Sequence, residues 1–250
     1  MIPQTPGKIF LADERGLTES DRFRRYSTFN FGSFTHTHKG PFGRLYGLNE
    51  ETLAGNHTIE FTVAEASHVL ILPLVGAVTL SGAARPATTV GVEEILLLTL
   101  PAGSVLRIKN PFETEMVSFL HIWLLADAPV SAVAAELAGF SFAASPNALI
   151  PLASAASRLP LAARIGQFTG RCEAVYQLSN PEASLYAFVL TGAFELEGRL
   201  MHEKDGLALW NTAEIELEAL SNDAVVLLLE LLPMVCSANF QFASQRRLNN

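Results

Sequence analysis

Leu72-Pro-Leu-Val-Gly-Ala-Val-Thr-Leu-Ser-Gly82 can be laid over Phe188-Val-Leu-Thr-Gly-Ala-Phe-Glu-Leu-Glu-Gly198 without a gap. Leu74/Leu190, Gly76/Gly192, Ala77/Ala193, Leu80/Leu196 and Gly82/Gly198 coincide. In each copy an apolar strand meets a Gly-Ala turn and leaves along a strand of alternating character. The same punctuation recurs along the chain. His68–Leu74, Glu94–Leu100, Met116–Leu125, Leu185–Leu190, Gly206–Trp210 and Ala224–Leu232 are short runs rich in Val, Ile, Leu and Phe, bounded by Gly, Pro, Asn or Asp. This spacing predicts an all-β chain in two similar halves, each a small antiparallel barrel. One segment differs: Ser131–Ala138, alanine-rich and followed by Gly139, predicts a short helix with a serine N-cap. It opens the Ala/Ser/Pro-rich stretch Ala126–Pro160, which reads as the connection between halves.

Composition limits the function classes. With 49% hydrophobic and 17% charged residues over 250 positions, the chain can bury a sizeable core and is not disordered. A net charge of −8 without a long basic run argues against a nucleic-acid surface. Arg24-Arg25 and Arg246-Arg247 read as solvated charges. Cys172 and Cys236 make neither a disulfide framework nor a thiolate metal cluster, and read as free thiols of a reducing compartment. No segment has the length or apolarity of a membrane span or the pattern of a signal peptide, so a cytoplasmic protein is expected. Patterns for a nucleophile elbow, a phosphate loop, a dinucleotide fold and a zinc protease are all absent.

The stretch Pro101-Ala-Gly-Ser-Val-Leu-Arg-Ile-Lys-Asn110 resembles the second motif of the cupin family: proline, one residue, glycine, two residues, histidine, three residues, asparagine. Pro101, Gly103 and Asn110 are in place, with Leu106 where the histidine belongs. The wider resemblance is to pirin-like bicupins, including the bacterial quercetin-dioxygenase-like pirins. It is carried by Tyr26–Phe31, Leu48-Asn49 and Ile122-Trp123 in the first half. In the second half Asp205–Trp210 and Leu227–Pro233 carry it. The resemblance implies a bicupin, two antiparallel jelly-roll β-barrels, here with a short helical connection. Residues 1–130 would form the first barrel, with a degenerate metal site, and 131–250 the connector and second barrel. It also implies a metal in the first barrel, held by an HxH pair on one strand and by a histidine and a glutamate in the second motif.

Carried over without a gap, those four positions fall on Thr62, Ala64, Leu106 and Ile108, none a donor of the expected kind. The position of a further cupin glutamate is His68. If Thr62 and Ala64 face the cavity, parity turns Thr58 and Glu60 inward with them and Ile59, Phe61 and Val63 outward. On the second motif Ser104, Leu106 and Ile108 would face inward and Arg107 and Lys109 outward. Glu60, Thr62, Ala64, His68, Leu106 and Ile108 are therefore the expected pocket lining, with Glu60 and His68 able to pair. His36 and His38, one residue apart, lie in the turn-rich stretch Phe34–Gly43 and read as loop histidines. His121 reads as a strand histidine without a role.

The expectation is a metal-free pirin-like bicupin without catalysis or cofactor. It would bind a small apolar or aromatic molecule in its N-terminal barrel, or a protein partner, and neither nucleic acid nor membrane. A quercetin 2,3-dioxygenase-like oxygenase using one divalent transition metal such as nickel or iron is the alternative. A bicupin with both cavities filled, kept as an interaction module, is the third reading.

Overall fold

The computed structural model describes residues 4–82, 85–153 and 159–234, so Cys236 and Arg246-Arg247 lie outside the described residues. Among the described residues all strands pair antiparallel and form four sheets. In the first half a seven-stranded sheet runs in the order Ala134–Gly139, Glu94–Leu100, Ser67–Val75, Val117–Leu125, Leu45–Leu53, Phe23–Ser27, Gly16–Glu19. It faces a four-stranded sheet of Thr58–Thr62, Val105–Lys109, Val78–Gly82 and Arg85–Val90. The second half repeats the plan. A six-stranded sheet runs Gly7–Phe10, Gly206–Leu209, Ser184–Thr191, Ala224–Leu231, Leu161–Phe168, Ile150–Pro151. Opposite it lie Glu173–Gln177, Glu214–Ala219, Phe194–Leu196 and Arg199–Met201. Each half is thus an open jelly-roll sandwich whose sheets keep their own edges, rather than the closed barrel that the sequence suggests.

Three apolar cores alternate with the four sheets. The strands Ser67–Val75 and Val117–Leu125 explain why the apolar runs are continuous. Val69, Ile71, Phe119 and Trp123 face the core of the first half. Leu70, Leu72, Leu120, Ile122 and Leu124 face the other way, against Ile165, Phe188, Leu190, Leu227 and Leu229 of the second half. A strand covered on both faces has no solvent side to alternate with. Full burial of each such side chain contributes on the order of 1.5–3 kcal/mol. This joint core covers the second face of these two strands.

The repeated Gly-Ala turns take one conformation. Gly76 and Gly192 have φ of +75° and +77°, the left-handed region that glycine enters without steric cost. A Cβ on Gly192 would stand 2.3 Å from Ser221 Oγ.

The expected helix is absent, and the described residues contain no α-helix, only the 3-10 turn Ala12–Glu14. Ala134–Gly139 is a strand, paired residue by residue with Glu94–Leu100 from Ala134↔Thr99 to Gly139↔Glu94. Eight residues are too few to sustain a helix by alanine propensity alone, and the bare edge of Glu94–Leu100 offers them a full ladder. Two strands cross the division at residue 130: Ala134–Gly139 completes the first half's sheet, and Gly7–Phe10 pairs with Gly206–Leu209 of the second. No described helix is long and apolar enough to cross a membrane.

Candidate functional site

The register of two strands decides what the first sandwich can hold. Val105–Lys109 pairs with Thr58–Thr62 so that Leu106 stands opposite Phe61 and Ile108 opposite Ile59. Residues directly opposite in an antiparallel pair share a face. Leu106 and Ile108 are buried, with Ile59 and Val63 beside them in the same core. Thr58, Glu60, Thr62 and Ala64 are exposed on the outer face, the reverse of the parity expected from the gapless alignment. Glu60 meets Arg107 outside at 2.7 Å, both side chains about half exposed. The reason is local: Ile59, Phe61 and Val63 are the apolar row of this strand, and they turn toward the core. His68 is buried and does not reach Glu60. Its Nδ1 lies 2.9 Å from Thr99 Oγ1, and burial, aided by Arg44, holds its pKa below the ordinary histidine value.

The metal implied by the resemblance does not fit these residues. Thr62, Ala64, Leu106 and Ile108 offer no imidazole or carboxylate, and they divide between opposite faces of one sheet. Among the described residues no three His, Cys, Asp or Glu side chains gather as a metal set. His36 and His38 are exposed on their loop, where the His38 N–H donates to His36 Nδ1 at 3.2 Å.

The polar groups of this interior come from other strands. Phe23–Ser27, Leu45–Leu53 and Val117–Leu125 lie side by side, with Ser27 opposite Asn49, Asn49 opposite His121, and Arg25 opposite Glu51. Leu53, Phe119 and Trp123, of the same parity, point into the first half's core, so these residues do too. Ser27, Asn49, Glu51 and His121 are at most 1% exposed. Arg25 ion-pairs with Glu51, and its side chain is only 12% exposed, which corrects the reading of Arg25 as solvated. The other nitrogen partner of the same carboxylate oxygen is His121 Nε2, at 2.9 Å. Trp123 Nε1 donates to His121 Nδ1 at 2.6 Å. Indole is only a donor, so Nδ1 is bare and the proton sits on Nε2, donated to Glu51. Desolvation holds the His121 pKa low, against the raising effect of Glu51.

Four atoms in this row have no protein partner: Ser27 Oγ, Asn49 Oδ1, Asn49 Nδ2 and Glu51 Oε2. Buried polar atoms are rarely left so, and here they lie on two adjacent strands of one face. An aromatic collar stands beside this row, against His121 and Arg25. Phe61 packs 4.9 Å from the His121 ring and Phe31 5.5 Å from it. The Arg25 guanidinium lies over the rings of Phe61 and Phe31 at 5.1 and 5.4 Å. Phe31 and Phe61 are both half-buried. The signal for this site was available as polar residues inside otherwise apolar strands: Asn49 and Glu51 in Leu45–Leu53, and His121 in Phe119–Trp123.

In the second half the buried carboxylate is fully satisfied. Glu230 accepts from Tyr176 Oη at 2.5 Å, from the Ser179 hydroxyl at 2.7 Å, and from the Ser179 and Asn180 N–H groups. Burial first, then this carboxylate, pushes the Tyr176 pKa up to about 12. This arrangement pins the loop that follows Glu173–Gln177 and leaves no acceptor free.

Comparison with known proteins agrees with the architecture. Residues 163–231 match the quercetinase C-terminal cupin domain. The fold is similar to that of YhhW from Escherichia coli, at 20% identity over 91% of this chain and 98% of that one, with a TM-score of 0.81. A second structure, of bacterial pirin YhhW in complex with nickel(II), gives 20% identity, coverages of 91% and 100% and a TM-score of 0.80. Quercetin 2,3-dioxygenase from Acinetobacter baumannii follows at 13% identity, coverages of 92% and 85% and a TM-score of 0.68. No curated protein matches in sequence. Residues 163–231 thus match a quercetinase-type C-terminal cupin domain, and the chain as a whole shares the fold of these bacterial pirin structures.

Proposed function

We propose that the chain is a pirin-like bicupin whose first half binds a small hydroxylated aromatic molecule without a resident metal and without catalysis. The carrying observation is the row of unpartnered buried atoms, Ser27 Oγ, Asn49 Oδ1 and Nδ2 and Glu51 Oε2, beside the Phe31–Phe61 collar. Phenolic hydroxyls would donate to Glu51 and Asn49 and accept from Ser27 and Asn49, while the ring stacks on the phenylalanines. Phe31 and Phe61 are the side chains a guest would displace on entry. The donor set at positions 62, 64, 106 and 108 supports a metal-free reading, and the free thiol of Cys172 suits a cytoplasmic setting.

The test uses catechol and quercetin as probes. Calorimetric titration into chelator-free protein should detect binding that Asn49→Leu weakens at least tenfold, with less than one-tenth of a transition metal per chain by elemental analysis. Stoichiometric nickel or iron together with oxygen-dependent loss of quercetin would replace this reading with that of an oxygenase.

A further inference from the structure

A cleft lies between the halves, away from the polar row of the first-half interior. We infer that this cleft is a binding site for a small organic acid with an apolar body, its carboxylate received by Lys204. The cleft holds about 330 Å³ and takes its walls from both halves, a volume at the lower end of the range of small-molecule sites. Leu74, Phe140, Phe142, Ile165, Leu190 and Val225 are among the apolar side chains of the wall. Phe140 and Phe142 meet edge to face at 5.3 Å, forming an aromatic side.

The charges are gathered at one place. Lys204 sits at φ +67° on a tight bend, its N–H bonded to Val189 O at 2.7 Å and the following Asp205 carboxylate tied to the N–H groups of Ala12 and His202. Its ammonium therefore leaves a fixed backbone and reaches across to Glu50 of the first half at 3.2 Å. Glu50 also receives Arg15 at 3.0 Å, so one carboxylate is shared by two cations. Burial works to raise the Glu50 pKa, but Lys204 and Arg15 outweigh it and hold the group ionised. Lys204 has three N–H donors. Glu50 occupies one, and Glu203, at 4.0 Å and half exposed, is a weak competitor. The other carboxylate of the lining, Glu93, accepts from the Phe142 N–H. Two cations, Lys204 and Arg15, meet on the one carboxylate Glu50, and Glu93 is engaged by the Phe142 N–H, so the remaining Lys204 donors are the polar contact that this apolar cleft offers a carboxylate carrying hydrophobic surface.

The probes are 1-naphthoate and the neutral 1-naphthalenemethanol, which share one ring body, titrated into the full chain by calorimetry. Naphthoate should bind at least tenfold more tightly than the alcohol, and Lys204→Met should bring it to the alcohol's level. Thr191 is exposed on the cleft rim, so Thr191→Trp should fold and abolish binding of both by filling the space. Glu51→Gln, in the first-half interior, should leave naphthoate affinity unchanged. No naphthoate binding to the parent, equal affinity for the alcohol, or full affinity in Thr191→Trp would each overturn the inference. Loss of binding in Glu51→Gln alone would place the acid in the first half instead. The parent comparison of acid and alcohol decides the matter even if a variant fails to fold.

Discussion

Trp123 Nε1 donates to His121 Nδ1 at 2.6 Å, and this bond leaves the His121 proton on Nε2, facing Glu51. A second proton on the imidazole would have to displace the indole N–H. Both His121 and His68 are held below the ordinary value of 6.5 by burial. For a histidine depressed in the folded state the stability it preserves is complete above the unfolded pKa. It is lost as pH falls below about 6.5, where only the unfolded chain takes up the proton. The melting temperature should therefore fall between pH 7.5 and 5.5, and His121→Gln should flatten part of that slope. An unchanged slope in the variant would remove His121 from the account.

Glu51 is fully buried and Arg25 nearly so. Glu51→Ala should cost about 3–5 kcal/mol in urea unfolding, because it leaves a guanidinium among phenylalanine rings without a counter-charge. Replacing both, as Arg25→Leu with Glu51→Leu, should cost less than the single change. A double variant worse than Glu51→Ala would show that the pair stabilises by more than mutual compensation.

The fold was legible because its evidence is repetitive: a duplicated glycine turn, and strands so thoroughly apolar that cover on both faces is required. The candidate site was not legible from the family motif. Its first two ligand positions, Thr62 and Ala64, fall at the end of Thr58–Thr62 and just beyond it, where the apolar row of Ile59 and Phe61 overrode the expected parity. A slip of one residue moves every side chain of a strand to the other face, and Thr62 and Ala64 accordingly lie on the exposed side. Alanine propensity misled in the same manner at Ala134–Gly139, where an available sheet edge determined the structure.

The same register predicts where a metal could be installed. The family-spaced quadruple variant, Thr62→His, Ala64→His, Leu106→His and Ile108→Glu, should show no metal-dependent rise in melting temperature, since its first two imidazoles face solvent. It should also be destabilised by about 2–5 kcal/mol for each core residue lost. Phe61→His with Leu106→His places two imidazoles directly opposite each other, beside His121. That variant should be stabilised by added nickel through binding to the folded state. Thermal shifts with and without nickel compare the two designs directly.

Arg44 is fully buried, and its guanidinium donates to the carbonyls of Leu125, Leu232 and Pro233 and pairs with Asp127. It fastens the end of the last strand to the first half. Arg44→Met should cost roughly 1–3 kcal/mol for each buried carbonyl left bare. It should also speed hydrogen exchange at Leu231 and Leu232 before exchange elsewhere. Exchange that rises uniformly would mean the arginine supports the whole fold rather than this junction.

The strand Gly7–Phe10 lies on the far half's sheet, with Phe10 opposite Gly206. On the ribosome, therefore, this strand waits for a partner made almost 200 residues later, which at 5–20 residues per second is roughly 10–40 s. Over that interval Ile9 and Phe10 remain available to chaperones, or to the Gly206–Leu209 edge of a neighbouring nascent chain. A lag of this kind favours exchange of the N-terminal strand between two copies made on one message. An N-terminal fusion or affinity tag, harmless in most proteins, would here delay the last step of assembly.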